Sequence, residues 1–373
     1  MADTPCAPPV PSRYEVCSML RKEGENVCAE DDFHYERIGE GTGFVSILYR
    51  IKLSERVYVV KITSQATIAH GEGLSNSLMV DLHDREVASY EWMKKARHSG
   101  LSSDLSKIVR YYGGRDCDEK DGMLILEDLS SKITKGFSFV KGYDVKLIYQ
   151  LVDQIVGLQS AYLSCEEKAE IPDKTSLYKV ECTSITKCIN GLPEREWLTE
   201  DKKEILLNWA RAENIEAVQR KYDDDEEGLP LVLCHCDMWP GNLLFTRNDS
   251  HPQGELLAVL DWQCATTGVL LCDIAVPLAV CLTVEDRRKH QDDILVYYVE
   301  QLLKKISSLK KPIPMTIEKA RSILHRTMRF GVLELIQVIV YEPRDDIADE
   351  DVDMNHQRNE LMERLRALLE DLI

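Results

Sequence analysis

The chain has 373 residues, 44% hydrophobic and 29% charged, the make-up of an ordinary soluble protein long enough for two lobes with a sizeable core. Its formal net charge of −18 argues against broad electrostatic binding to nucleic acid or an anionic membrane, while leaving room for an anionic small substrate that feels the local field. The twelve cysteines at irregular spacing fit reduced cytoplasmic thiols better than a disulfide framework, and the first thirty residues lack a basic start followed by an apolar run.

In chain order, residues 1–30 are Pro-rich and then mixed, an arm leading into a short helix. From Tyr35 onward the pattern is strand, Gly-rich turn, strand: YERIGEGTGFVSILYRIKL, then RVYVVKIT. In IGEGTGF the glycines Gly39, Gly41 and Gly43 let backbone N–H groups approach a phosphate with no Cβ in the way. A tight hairpin explains them as well. A dinucleotide-binding unit would need a helix directly after them, and FVSILYRIKL reads as a strand.

Lys61 ends the apolar run VYVVK, so its ammonium must meet an anion or snorkel to water. TSQATIAHGEGLSN is a polar loop, and DLHDREVASYEWMKKA is a helix beginning near Asp81. On that helix Glu86 could pair with Lys61, and Asp84 and Glu91 are its rivals. Spacing does not choose among them, although Glu86 lies beside the Val87–Tyr90 side and nearest the core. IVRYYGGRDCDEKDGMLILEDL adds a strand, a charged turn and another strand.

Beyond residue 129 helical patterns dominate: VKLIYQLVDQIVGLQSAYL, DKKEILLNWARAENIEAVQRK, ILVYYVEQLLKKI, EKARSILHRTMRFGVLELIQVIVY and MNHQRNELMERLRALLEDL. Residues 165–200 read as loops without a clear signal, and the acidic runs DDDEE and RDDIADEDVD as solvated loops. GVLLCDIAVPLAVCLTV, interrupted by Asp273 and Pro277, reads as a buried helix or helix pair and not as a membrane span. The fold class expected is α+β, a small β-rich lobe followed by a larger, mainly helical one, with a ligand cleft between them.

Two strand-like runs, LPLVLCH and LLAVLDWQ, flank the segment LCHCDMWPGNLLF. Its Asp, Asn, Pro and Gly make it a loop pinned at both ends, and the second run delivers Asp261. Asp237, Asn242 and Asp261 are oxygen donors suited to Mg²⁺ and substrate phosphate, with Pro240 and Gly241 turning Asp237 and Asn242 toward one ion. The CHC at 234–236 has no second ligand pair at finger-like spacing, so zinc is set aside. Flap, lysine, metal clamp and hydroxyl-orienting carboxylate are the parts that phosphoryl transfer needs.

HCDMWPGNLLF, LDWQ, VVKI and ILEDL together resemble the protein-kinase-like small-molecule kinases, which include choline kinases and aminoglycoside phosphotransferases. REVASYEWM, DWQ and LTVEDRRKHQDDILVYYVEQL are similar to the CHK-kinase-like (ecdysteroid-kinase-like) group, and the resemblance spans about residues 33–305. It implies a bilobal protein-kinase-like fold: an arm at 1–30, an N-lobe at 31–128 and a C-lobe at 129–373. It implies ATP and Mg²⁺ as cofactors, Asp237 as catalytic base, and Asn242 and Asp261 as metal ligands. Lys61 would contact the α/β-phosphates and pair with Glu86, Glu127, Asp128 and Leu129 would form the adenine hinge, and His235 and Asp273 would brace the catalytic loop. The glycine loop is one residue shorter between its second and third glycines than the protein-kinase pattern. Gln159 stands where many relatives carry His.

The expected activity is therefore phosphorylation of a small-molecule hydroxyl, on a steroid, a xenobiotic or an amino alcohol. A protein substrate fits less well, because only QCATTGVLLCDIA separates Asp261 from the Asp273 region. Choline would need a cation–π wall, and Trp239 and Trp262 read equally as core packing. The rival reading is a pseudokinase, a nucleotide-binding or interaction module, whose usual sign is loss of one of Lys61, Asp237, Asn242 or Asp261. All four are present. No nucleic-acid partner and no membrane insertion are expected.

Overall fold

The computed structural model describes residues 9–28, 32–39, 46–64, 76–101, 103–117, 121–134, 139–172, 175–223, 228–248, 251–309, 312–341 and 354–373. Gly41 and Gly43, the polar stretch 65–75 and most of both acidic runs lie outside these residues.

Five antiparallel strands form the first sheet: β1 (Phe33–Ile38), β2 (Ile47–Leu53), β3 (Arg56–Thr63), β4 (Tyr111–Arg115) and β5 (Gly122–Glu127), in the order β1-β2-β3-β5-β4. Alternation explains its two faces. Ile47, Tyr49, Ile51 and Leu53 of β2, with Tyr58, Val60 and Ile62 of β3, face one side, and there α1 (Arg13–Lys22) covers them with Val16, Cys17 and Leu20. Ser12 caps α1 by accepting from the Glu15 N–H. Lys61 lies between Val60 and Ile62 and so projects to the opposite face, toward α2 (Asn76–Ala96). That helix begins at Asn76, earlier than the start near Asp81 read from the sequence.

The chain leaving α2 docks onto the helical lobe. A Cβ on Gly157 would come within 2.3 Å of Asp104 O, so only glycine admits this approach. Gln154 Oε1 accepts from the Lys107 N–H at 2.9 Å, and Ile108 bridges to Val259.

The helical lobe is built from α3 (Val145–Ser164), α4 (Thr175–Gly191), α5 (Glu200–Trp209), α6 (Ala212–Arg220), α7 (Cys272–Val280), α8 (Val284–Lys305), α9 (Ile317–Tyr341) and α10 (Met354–Leu372). Every residue of α7 is buried, Asp273 included. Two differences from the sequence reading stand out. Residues 165–200, read as loops, contain α4. Its buried Leu177, Tyr178, Ile185, Cys188 and Ile189 are separated by a Glu-Cys-Thr-Ser stretch that dilutes the period, so packing rather than propensity makes the helix. DKKEILLNWARAENIEAVQRK, read as one run, breaks where Arg211 is extended (φ −66°, ψ 140°) and becomes α5 and α6. Within this lobe β7 (Leu243–Asn248) pairs with β8 (His251–Val259), and β6 (Val232–Cys234) pairs with β9 (Thr266–Gly268).

Candidate active site

β6 delivers His235, Cys236 and Asp237, and β8 delivers Asp261. The β7–β8 pairing sets Asn242 beside Leu260, whose N–H donates to Asn242 O at 2.9 Å. Sequence-distant groups thus meet at one edge of the helical lobe, facing α2 and β3.

Lys61 is the centre of the cluster. Its Nζ donates to Glu86 Oε2 at 2.7 Å and to Asp261 Oδ1 at 2.8 Å. Burial alone would lower the ammonium, but Asp261 and Glu86 together hold it above the ordinary lysine range. Burial pushes the Glu86 carboxyl up, against the opposing pull of Lys61 and a hydrogen bond from the Trp262 backbone. Of the two rivals on α2, Asp84 accepts from the Cys117 N–H and Glu91 from the Tyr111 hydroxyl, while Glu86 accepts from Lys61.

The loop carrying Asp237 is over-determined. Asp273 Oδ2 accepts from the His235 N–H and Oδ1 from the Cys236 N–H, both at 2.9 Å. Those bonds hold Cys236 at φ 60°, a left-handed conformation that costs a non-glycine residue of order 1–3 kcal/mol. His235 is fully buried. Its Nδ1 accepts from the Asp237 N–H at 3.2 Å, which makes Nε2 the protonated nitrogen that donates to Leu260 O at 2.8 Å. With both ring nitrogens spent inside the loop, this histidine holds the fold and has none left for a metal or a proton relay.

Asn242 Nδ2 donates to Asp237 O at 2.8 Å and to Asp237 Oδ2 at 2.9 Å, which turns its Oδ1 away from Asp237. A Cβ on Gly241 would lie 2.2 Å from the Trp239 ring, so the tight turn before Asn242 requires glycine. Asp261 sits in the left-handed region at φ 61°, spending Oδ1 on Lys61. The Asn242 amide oxygen and the second Asp261 carboxylate oxygen make a hard, all-oxygen donor pair, which fits Mg²⁺ and not a thiophilic ion.

Glu127, Asp128 and Leu129 follow β5 and lead out of the sheet. Lys132 engages the Glu127 side chain at 2.7 Å, and Arg50 engages Asp128 Oδ2 at 2.7 Å. Burial would raise the Asp128 carboxyl, but Ser130 and Arg50 hold it below its usual range. Gly39 (φ 66°) follows β1, which pairs antiparallel with β2, the next strand in the chain. A hairpin connection is not the strand-to-helix turn of a dinucleotide fingerprint. Trp262 is fully buried with its ring edge-on to His235 at 4.5 Å, so it is core and not a cation–π wall, while half-buried Trp239 packs over Gly241. Gln159 Oε1 accepts from the buried Tyr298 hydroxyl at 2.5 Å. The Trp262 N–H to Glu86 and the Leu260 carbonyl to His235 are backbone contacts, which carry no sequence signal.

A family model for DUF1679, described as "Uncharacterized oxidoreductase dhs-27", matches residues 44–373. An uncharacterized kinase-like protein of Caenorhabditis elegans is 23% identical over 301 residues, 77% of this chain and 75% of that protein. The C. elegans protein named uncharacterized oxidoreductase dhs-27 is 26% identical over 351 residues, 82% of this chain but 40% of its own length. The oxidoreductase in that name therefore describes a protein of which this chain matches less than half. The crystal structure of a choline kinase from Cryptosporidium parvum Iowa II superposes with a TM-score of 0.52, 13% identity and 96% of each chain covered, which shows a shared fold. The chain belongs to the DUF1679 family, and its bilobal α+β fold, a small sheet-bearing lobe before a larger helical one, is the fold it shares with that choline kinase.

Proposed function

We propose that the protein is an ATP- and Mg²⁺-dependent phosphotransferase acting on a hydroxyl of a small molecule. The observation that carries this reading is the Lys61 ammonium held at once by Glu86 and Asp261, with Asp237 and Asn242 on the adjoining loop. In this reading residues 1–30 are an N-terminal arm, 31–128 the N-lobe and 129–373 the C-lobe.

Lys61 would bind the nucleotide's phosphates, kept extended by Glu86. The backbone of Glu127–Leu129 would receive adenine, and the glycine stretch from Gly39 through Gly41 and Gly43 would cover the phosphates. Asp261 and Asn242 would hold Mg²⁺, which when bound supplies charge neutralisation on the phosphate oxygens. Asp237 would orient the acceptor hydroxyl and take its proton. The loop supporting it cannot drift, because Asp273 fixes its backbone and His235 its turn.

The test is transfer from labelled MgATP to a pooled panel of sterol, amino-alcohol and xenobiotic hydroxyl compounds, beside an Asp261→Asn variant. A labelled product from the parent alone supports the reading. Absence of MgATP binding by the parent would sink it.

A further inference from the structure

α2 carries a second charged residue that the ion-pair chemistry does not use. Arg85 precedes Glu86 yet is fully buried, and its Nη1 donates to Pro172 O at 2.7 Å and to Ala265 O at 3.0 Å. Pro172 lies on the connection between α3 and α4, and Ala265 lies four residues beyond Asp261. Two turns along the same face, Trp92 Nε1 donates to Glu167 O at 3.0 Å, with its ring against Tyr162 of α3 at 5.3 Å. Lys95 then reaches Glu167 Oε1 at 2.7 Å. The 165–172 connection therefore runs along the helix that bears Glu86 and holds it by polar contacts at successive turns.

Burying a guanidinium is costly, and burial holds Arg85 below its ordinary value. A leucine would fill the space without that cost. What arginine adds is a permanently charged head whose Nη1 donates to two carbonyls on separate segments at once. Both carbonyls lie outside regular strands and helices and need donors.

We propose that Arg85, together with Trp92, is a positioning residue. It straps α2 to the 165–172 connection and to Ala265, and so sets the helix where Glu86 meets Lys61 without any outside signal. The consequence for nucleotide binding rests on the phosphotransferase reading, whereas the strap does not.

The experiment uses the full chain in four forms: the parent, Arg85→Met, Arg85→Lys and Trp92→Phe. Hydrogen exchange of residues 82–96 and calorimetric binding of MgATP are measured on each, and binding is repeated in a Glu86→Gln background. Trp92→Phe keeps an aromatic six-membered ring in the pocket and removes the pyrrole half with its N–H, so it stays informative if Arg85→Met fails to fold.

The expected result is faster exchange across α2 in Arg85→Met and Trp92→Phe. MgATP binding weakens on the order of tenfold in Arg85→Met and less in Arg85→Lys. Adding Arg85→Met to Glu86→Gln changes nothing further, because the pair that the strap serves is already gone. Unchanged exchange in α2, or equal weakening with and without Glu86, overturns the proposal. A parent that binds no MgATP removes the phosphotransferase reading, while the exchange data still decide the strap.

Discussion

Lys61 Nζ lies 2.8 Å from Asp261 Oδ1, a contact that joins β3 to the end of β8 across 200 positions of sequence. It places a single cation between the carboxylate of α2 and the carboxylate proposed to hold the metal, so one side chain couples the sheet to the helical lobe.

If the proposed transfer is this protein's activity, replacing Lys61 with Met should lower kcat/KM by at least roughly 100-fold, since the proposed donor to the phosphates is lost. It should also cost about 3 kcal/mol in urea unfolding, because Glu86 is left buried without its cation. A Lys61→Met/Glu86→Leu double variant should recover most of that stability and none of the transfer. If both returned together, the pair would be structural only.

Asp273→Asn tests the brace under the loop that carries Asp237. An amide supplies one acceptor where the carboxylate supplied two, and its NH₂ faces an N–H, while Cys236 keeps its left-handed backbone. A loss of about 3 kcal/mol is expected, measured by denaturant unfolding. A change under about 0.5 kcal/mol would place the rigidity of this loop elsewhere.

Nucleotide binding should depend on the metal through Asp261. MgATP at about 100 times its Kd should stabilise the parent by roughly 2.7 kcal/mol, seen as a rise in Tm. ATP with EDTA should give a smaller rise, and Asp261→Asn should abolish the difference between the two. Equal shifts with and without Mg²⁺ in the parent would remove the metal assignment from Asn242 and Asp261.

His83 predicts an acid-sensitive stability. It is buried under the sheet, Nδ1 against Thr63 Oγ1 at 3.1 Å and Nε2 against Arg115 O at 2.8 Å, and burial lowers its pKa to about 4. The unfolded chain takes up this proton below about pH 6.5 and the folded chain only below about 4, so the unfolded state binds more protons between those values. Stability from this residue is whole above pH 6.5, falls by roughly 3 kcal/mol as pH drops to 4, and levels off below. His83→Gln should flatten the pH–stability curve in that window, as followed by urea melts at half-unit steps. An unchanged slope would assign the acid response to other groups.

What the chain alone made legible was local. Strand alternation in β2 and β3, the three-and-four spacing in α2 and α9, and the Pro-Gly turn before Asn242 depend on neighbours within a few positions. So do the elements that present Lys61, Asp237 and Asp261, because a polar residue closing an apolar run is visible without the fold. α4 was hidden, since its buried residues earn their helix by packing against distant elements and not by period. The partner of Lys61 had three candidates within one helix, and the rotation and height of α2 choose among them. Arg85 shows the limit most clearly. A charged residue in a helix reads as solvent-facing, and its burial follows from two carbonyls 80 and more positions away that no local pattern encodes. Sequence sets which groups are available for chemistry, and the packing of sheet against helical lobe sets which of them touch.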